Sequence, residues 1–215
     1  MIEPEMAFCD LRQNMDLIEE FLRDVVSAVL ERNRLELELI ERPIEPLQKV
    51  TQPFVRIPYE EAVQIIRGER LVNGQSALDV LRDDLAQVRR SIEETRTEIS
   101  EREAKLAQPG LKKGEIGHHQ AQLQAARQRL DTAEEQERNL PQWIASASSF
   151  EAGNDFGGSD ETVLTRLFET PIMVYNWPHE VKAFYMKRDE NDPRWAKGVD
   201  VLAPEGYGEI VGGGE

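Results

Sequence analysis

The sequence predicts an α+β fold: an antiparallel sheet in the later part of the chain, helices segregated elsewhere, and a long helical hairpin inserted between. The hairpin rests on two apolar seams. Leu78, Leu81, Leu85, Val88, Ile92, Thr95, Ile99, Arg102 and Leu106 step by three and four without a break, which is a heptad pattern. A second seam runs through Ile116, His119, Leu123, Ala126, Leu130, Ala133, Glu137 and Leu140. The turn between them carries Pro109-Gly110 and Lys112-Lys113-Gly114, so the arms fold back on each other, projecting about 45 Å at 1.5 Å per residue. The sheet rests on the strand candidates that cluster after residue 170. These changes of character divide the chain into 1–75, 76–141 and 142–215.

The totals bound the answer. In 215 residues, 40% hydrophobic content is enough to fill a core, so the chain is not a disordered one. A formal charge of −15 argues against a nucleic-acid-binding module, because neutralising phosphates needs a basic surface. The single cysteine, Cys9, cannot form an internal disulfide, which fits a reducing compartment. No apolar run approaches the ~20 residues of a membrane span, and the first residues lack the basic-then-apolar order of a signal peptide. A soluble, cytoplasmic protein is the expectation.

Glu3 to Phe8 alternates and reads as a strand, with Pro4 marking an edge or irregularity. Asp10 caps the next helix with Gln13 in capping-box position. Leu11, Ile18, Phe21, Leu22, Val25 and Val29 fall at helical spacing, and Met15 and Phe21 read as core. Pro43 and Pro46 mark a loop. Phe54-Val-Arg-Ile57 is a short strand, and Pro58 opens a helix with Glu60 and Glu61 in its first turn. Beyond the hairpin, the loop Asn154 to Asp160 caps a helix from Glu161 to Phe168. Pro171 to Tyr175 and Ala183 to Met186 read as strands, with a turn at Trp177-Pro-His179. A strand-turn-strand closes the chain.

That last segment holds the candidate chemistry. Asp200 and Glu209 stand on apolar runs separated by a Pro/Gly turn, and glycines follow Ile210. Two hard oxygen ligands beside backbone that allows close approach suit a Mg²⁺-held polyphosphate; a solvated pair flanking a hairpin is the plainer alternative. His118-His119 has no supporting Cys or second His cluster and reads as a solvated hairpin tip. No Walker loop is present, and Gly206-Tyr-Gly208 is a poor dinucleotide signal.

Glu3-Pro-Glu-Met-Ala-Phe8, Tyr175-Asn-Trp-Pro-His-Glu-Val-Lys-Ala-Phe-Tyr-Met186 and the run Asp200 to Gly213 together resemble the class II asparaginyl-tRNA synthetases, in that order. Pro58-Tyr-Glu-Glu-Ala62 is similar to the family's Tyr-x-Glu-Ala helix start. The likeness covers about 1–67 and 148–215 and makes the hairpin an insertion in an antiparallel-sheet catalytic core. It implies a two-step ligation: asparagine attacks the α-phosphate of ATP and expels pyrophosphate, and the adenylate passes its acyl group to tRNA. It implies that Asp200 and Glu209 hold Mg²⁺ against ATP and that Tyr185, Gly212 and Gly213 border the amino-acid pocket. Glu5 takes a supporting place near the nucleotide, and the whole protein is a homodimer.

The resemblance also implies what lies elsewhere. The family's arginine-bearing strand pair, its glycine-rich arginine strand and its anticodon-binding barrel have no counterpart here, and its pocket arginine would follow Glu215. The expectation is a stretch from the middle of a longer enzyme, with Met1 an internal methionine and the isolated chain unable to form asparaginyl-adenylate. The hairpin is either a tRNA-touching arm or, on its nearly balanced charge, a spacer or assembly element. An aspartyl-tRNA synthetase, a tRNA-independent paralogue that amidates aspartate, and a structural coiled-coil protein remain the competing classes.

Overall fold

A computed structural model describes residues 2–215. The chain divides into two compact units, Leu78–Ser146 and the remaining described residues.

The first unit is a helix-covered sheet. Helix α1 (Leu11–Arg32) starts at the expected capping box. The Gln13 N–H donates to Asp10 Oδ1 at 2.8 Å and the Asp10 N–H to Gln13 Oε1 at 3.0 Å, satisfying two donors that a helix start leaves unpaired. Two short helices follow, α2 (Arg34–Leu39) and α3 (Ile44–Val50). The loop expected at Pro43 is present, between α2 and α3, but Pro46 is helical. Pro46 falls in the first turn, where its missing N–H costs nothing. Strand β1 (Val55–Pro58) leads directly into α4 (Tyr59–Ile66), and Gly68 takes the left-handed conformation just beyond it. After the hairpin come α7 (Gly158–Thr165) and β2 (Ile172–Pro178), then a 3₁₀ turn at His179–Val181. Strands β3 (Trp195–Ala203) and β4 (Gly208–Gly214) end the chain.

The sheet order is β1-β2-β3-β4. Strand β1 runs parallel to β2 and the other pairs are antiparallel, so the sheet is mixed, with its antiparallel part where the late strands were expected. Alternation divides its side chains between two faces. Met173, Val199 and Val201 pack under Leu11 and Met15 of α1, with Ile18, Leu22, Tyr175 and Val211 at the margins. Ile172, Val174, Asp200 and Leu202 point the other way.

Three sequence expectations are corrected here. Glu3 to Phe8 forms no strand: Pro4 lacks a ladder donor, and Phe8 turns the chain with a positive φ of 58°. Ala183 to Met186 is an irregular turn, and β2 instead continues through the expected turn at Trp177-Pro178. Phe21 and Val25 lie on the outer flank of α1 and are exposed, whereas Met15 is buried. One helix face cannot hold both sets, because Leu11, Met15, Ile18 and Leu22 already make the 3–4 stripe that faces the sheet.

The second unit is the hairpin, formed by α5 (Ala77–Leu106) and α6 (Lys113–Ser149). Every residue of both seams is buried or half-buried. Ion pairs cross between the arms at Arg89–Glu137 (2.9 Å), Arg96–Glu134 (2.9 Å), Glu98–Arg129 (2.6 Å) and Glu103–Arg127 (2.7 Å). One partner's number falls as the other rises, which is the antiparallel register. Exposed pairs of this kind contribute about 0–1 kcal/mol each, so they fix register more than they stabilise. Pro141 lies inside α6; it gives up one ladder hydrogen bond and the helix runs on to Ser149. His118 is exposed, but His119 holds a seam position with its Nδ1 buried and unpartnered among the described residues, so only the first of the two is a solvated tip residue.

Candidate functional site

Strands β3 and β4 bring Asp200 and Glu209 together, through an irregularity in their pairing. Asp200 pairs with Gly212 and Val201 with Val211, but Leu202 pairs with Glu209. Ile210 is thus the extra residue of a β-bulge. Asp200 and Leu202 share a face by alternation, and Glu209, opposite Leu202, joins them there. Gly212 lies between the two carboxylates. A Cβ built on it would stand 2.4 Å from Glu209 Oε1 and 3.7 Å from Asp200 Oδ1. Both oxygens therefore lie beside one point over Gly212, which the Glu209 carboxylate reaches because residue 212 has no side chain.

The β3–β4 turn is held in a conformation most residues avoid. Glu205 and Gly206 both have positive φ (64° and 81°). The Glu205 carboxylate offsets this strain by accepting two bonds from the Arg42 guanidinium, at 2.6 and 2.8 Å.

Four further residues complete the site, and sequence reasoning gives none of them a functional role. Lys182 donates from Nζ to Asp200 Oδ2, with Asp155 Oδ1 3.9 Å away. Its ammonium sits 3.9 Å from the centroid of the Trp177 ring, a cation–π contact. From α7, Glu161 Oε2 accepts the Glu209 N–H at 3.1 Å, which holds the start of β4. Lys182 stands within a run that carries the family resemblance, but no local pattern ties it to a carboxylate on another strand.

Burial pushes the Asp200 carboxyl up to about 6; the bond and charge of Lys182 pull it down, and the negative charges of Glu209 and Asp155 push it up. Glu161 is also raised by burial, against the bond from the Glu209 N–H. For Asp200 the consequence is a measurable pH dependence. An unfolded Asp titrates near 3.9. Between pH 7 and pH 5 the folded chain therefore takes up a proton that the unfolded chain does not, and stability rises as pH falls. The gain from this group is about 1 kcal/mol. In urea titrations at the two pH values, D200N should gain about that much less than the wild-type chain.

The other sequence candidates are dispersed. Gly213 faces α1, with Asn14 Nδ2 3.4 Å from where its Cβ would lie. Tyr185 is 72% exposed beside Phe184, 89% exposed, in the turn after the 3₁₀ segment. Glu5 is exposed in the irregular segment before α1. A separate concavity on α1, lined in part by Asp16, Glu19, Arg23 and Arg56, holds groups already paired with one another.

Asp200 and Glu209 fit a divalent ion on their chemistry and convergence. Among the described residues no cluster of three or more His, Cys, Asp or Glu could hold an ion by itself. Two carboxylates suffice for Mg²⁺ only when water and phosphate oxygens supply the remaining ligands. A polyanion is therefore part of the fit.

Comparison with known proteins gives the family. The model of the tRNA synthetases class II (D, K and N) matches residues 1–215. The chain belongs to that family. Among curated relatives of this class II group, the asparagine–tRNA ligase of Sorangium cellulosum is 38% identical over the whole chain, which covers 34% of that protein. That of Koribacter versatilis is 34% identical over the whole chain, covering 33%. The chain thus spans about a third of the length of these relatives. The asparaginyl-tRNA synthetase of Pyrococcus horikoshii, solved by crystallography, is similar over 96% of this chain and 31% of its own, at 27% identity and a TM-score of 0.57. The same enzyme was also solved in complex with asparaginyl-adenylate. No helix among the described residues is long and apolar enough to cross a membrane.

Proposed function

We propose that this chain is the part of an asparagine–tRNA ligase that holds the triphosphate of ATP through a divalent ion, in the cytoplasm. The observation that carries the reading is the convergence of Asp200 and Glu209 over Gly212 in a chain of this family. In the whole protein, asparagine's carboxylate attacks the α-phosphate, pyrophosphate leaves, and the asparaginyl group passes to the 3′ end of its tRNA. Mg²⁺ supplies Lewis acidity and a template for the phosphates. The residues of this chain position it. Asp200 offers an oxygen fixed by the centre of a strand, Glu209 offers one aimed by the bulge, and Glu161 steadies the Glu209 backbone. A site that works by placement and charge needs this rigidity.

Gly212 and the exposed Tyr185 border the amino-acid pocket in this reading. Glu5 keeps a supporting role, and Gly213 contributes by letting α1 approach β4. The hairpin acts as a spacer or assembly element, since several of its arginines are engaged across the seam instead of forming a phosphate-binding face. The whole protein works as a homodimer.

The direct test is binding of Mn²⁺–ATP by the chain, followed by the paramagnetic signal of free Mn²⁺. D200N and E209Q should each weaken binding at least about tenfold, equal to about 1.4 kcal/mol. Unaltered binding in both variants would remove the assignment. In the whole protein, ATP–pyrophosphate exchange dependent on asparagine and not on aspartate separates this ligase from its aspartyl relatives.

A further inference from the structure

We propose that Lys182 is a specificity-determining residue: its ammonium competes with a divalent cation for Asp200, so that the carboxylate pair takes the cation with a polyphosphate and not alone. The inference rests on the reading of Asp200 and Glu209 as the ion-holding pair.

The geometry gives Lys182 a defined place. Its side chain is 14% exposed and that of Asp200 9%, so the pair lies largely out of water, where charges interact more strongly than on the surface. The ammonium is confined on three sides, by the Asp200 carboxylate, by the face of Trp177 and by Asp155. Its stem passes beside Gly198 of β3, where a Cβ would lie in ordinary contact with Lys182 Cγ at 3.8 Å. The backbone is anchored too, because the Lys182 N–H closes the 3₁₀ turn on the His179 carbonyl at 3.3 Å.

The charge balance gives the consequence. Of the two charges on the ligand pair, Lys182 neutralises the one on Asp200, so a bare hydrated ion must displace the ammonium before it can hold both carboxylates. An ion arriving on a nucleotide brings phosphate oxygens as ligands and as negative charge. The ammonium can then leave Asp200 for Asp155, which already lies within 3.9 Å, without losing its place over Trp177. Asp155 is thus the second acceptor that makes the exchange possible. A lysine suits this role better than an arginine, since its compact charge exchanges one acceptor for another without breaking a two-pronged fork.

The test is Mn²⁺ binding without nucleotide, measured on the chain by the paramagnetic signal of free Mn²⁺. Removing a unit charge a few ångströms from the ion should tighten binding in K182M by at least about tenfold. K182Q, whose amide still bonds Asp200, should show the same gain and serves if K182M does not fold. K182R keeps the charge and should stay within about threefold of the wild type. Adding D200N to K182M or K182Q should abolish the gain. A merely structural lysine predicts a lower melting temperature with no tighter binding. Equal or weaker Mn²⁺ binding in the folded lysine variants, while D200N still weakens Mn²⁺–ATP binding, overturns this inference and leaves the function reading standing. Mn²⁺–ATP binding indifferent to D200N and E209Q overturns both.

Discussion

W177A should lose about 3–5 kcal/mol of stability, the range for emptying a buried aromatic site. Trp177 is 1% exposed and anchors an aromatic cluster. Its ring centroid is 4.7 Å from that of Phe156, edge on, and 5.0 Å from that of Tyr59. Its indole N–H donates to the Val174 carbonyl at 3.0 Å, across the irregularity where β2 changes register against β3. Alanine would leave a void walled by rings that cannot collapse into it, because Tyr59 is itself pinned. The Tyr59 hydroxyl donates to the Asn154 carbonyl at 2.7 Å and accepts the Gly153 N–H at 2.9 Å. Against the 5–15 kcal/mol of a typical domain, this loss takes much of the margin of the sheet-bearing unit. Urea unfolding followed by tyrosine and tryptophan fluorescence measures it. W177F, which keeps a ring but drops the N–H bond, should lose less than half as much. A loss below about 1.5 kcal/mol in W177A would mean that the cluster rearranges to fill the space.

How much of this was legible depends on the range of the interaction. The hairpin could be read because heptad positions from Leu78 to Leu140 state their own partners: each seam needs another, and a Pro/Gly turn brings the nearest one back. The start of α1 could be read because Asp10 and Gln13 satisfy each other three residues apart. Ala183 to Met186 misled because two adjacent aromatics look like strand residues, whereas the segment closes a turn, with the Met186 N–H bonded to the Ala183 carbonyl at 3.0 Å. Phe21 misled because helical spacing alone does not say which of two adjacent apolar stripes faces the sheet.

The site was legible as residue types and not as geometry. Asp200 and Glu209 stood out as carboxylates beside a turn, yet strict alternation puts residues 209 and 212 on opposite faces, since they are three apart. Only the bulge at Ile210 puts Glu209 over Gly212, and a bulge leaves no pattern in a single sequence. Lys182 and Glu161 meet the pair only after three strands and a helix have assembled.

That dependence on the bulge makes Gly212 the place where shape and chemistry can be separated. In G212A the new methyl would stand 2.4 Å from Glu209 Oε1. The obstacle is the end of a flexible, exposed side chain, so the fold gives way cheaply and stability should change by less than about 1 kcal/mol. The carboxylate, however, must leave the point it shares with Asp200. Mn²⁺–ATP affinity should fall at least about tenfold, as for E209Q, and combining the two substitutions should add little further loss, because each removes the same ligand. Gly214 supplies the contrast two residues on. A Cβ there would meet the Lys197 carbonyl at 2.7 Å and Gly198 Cα at 3.1 Å. Those are backbone atoms of the neighbouring strand and cannot swing aside. G214A should therefore cost about 1–3 kcal/mol. The two variants should thus exchange their losses, affinity in one and stability in the other. If G212A keeps full Mn²⁺–ATP affinity at unchanged stability, Glu209 is not a ligand, and the pair of carboxylates reduces to Asp200 alone.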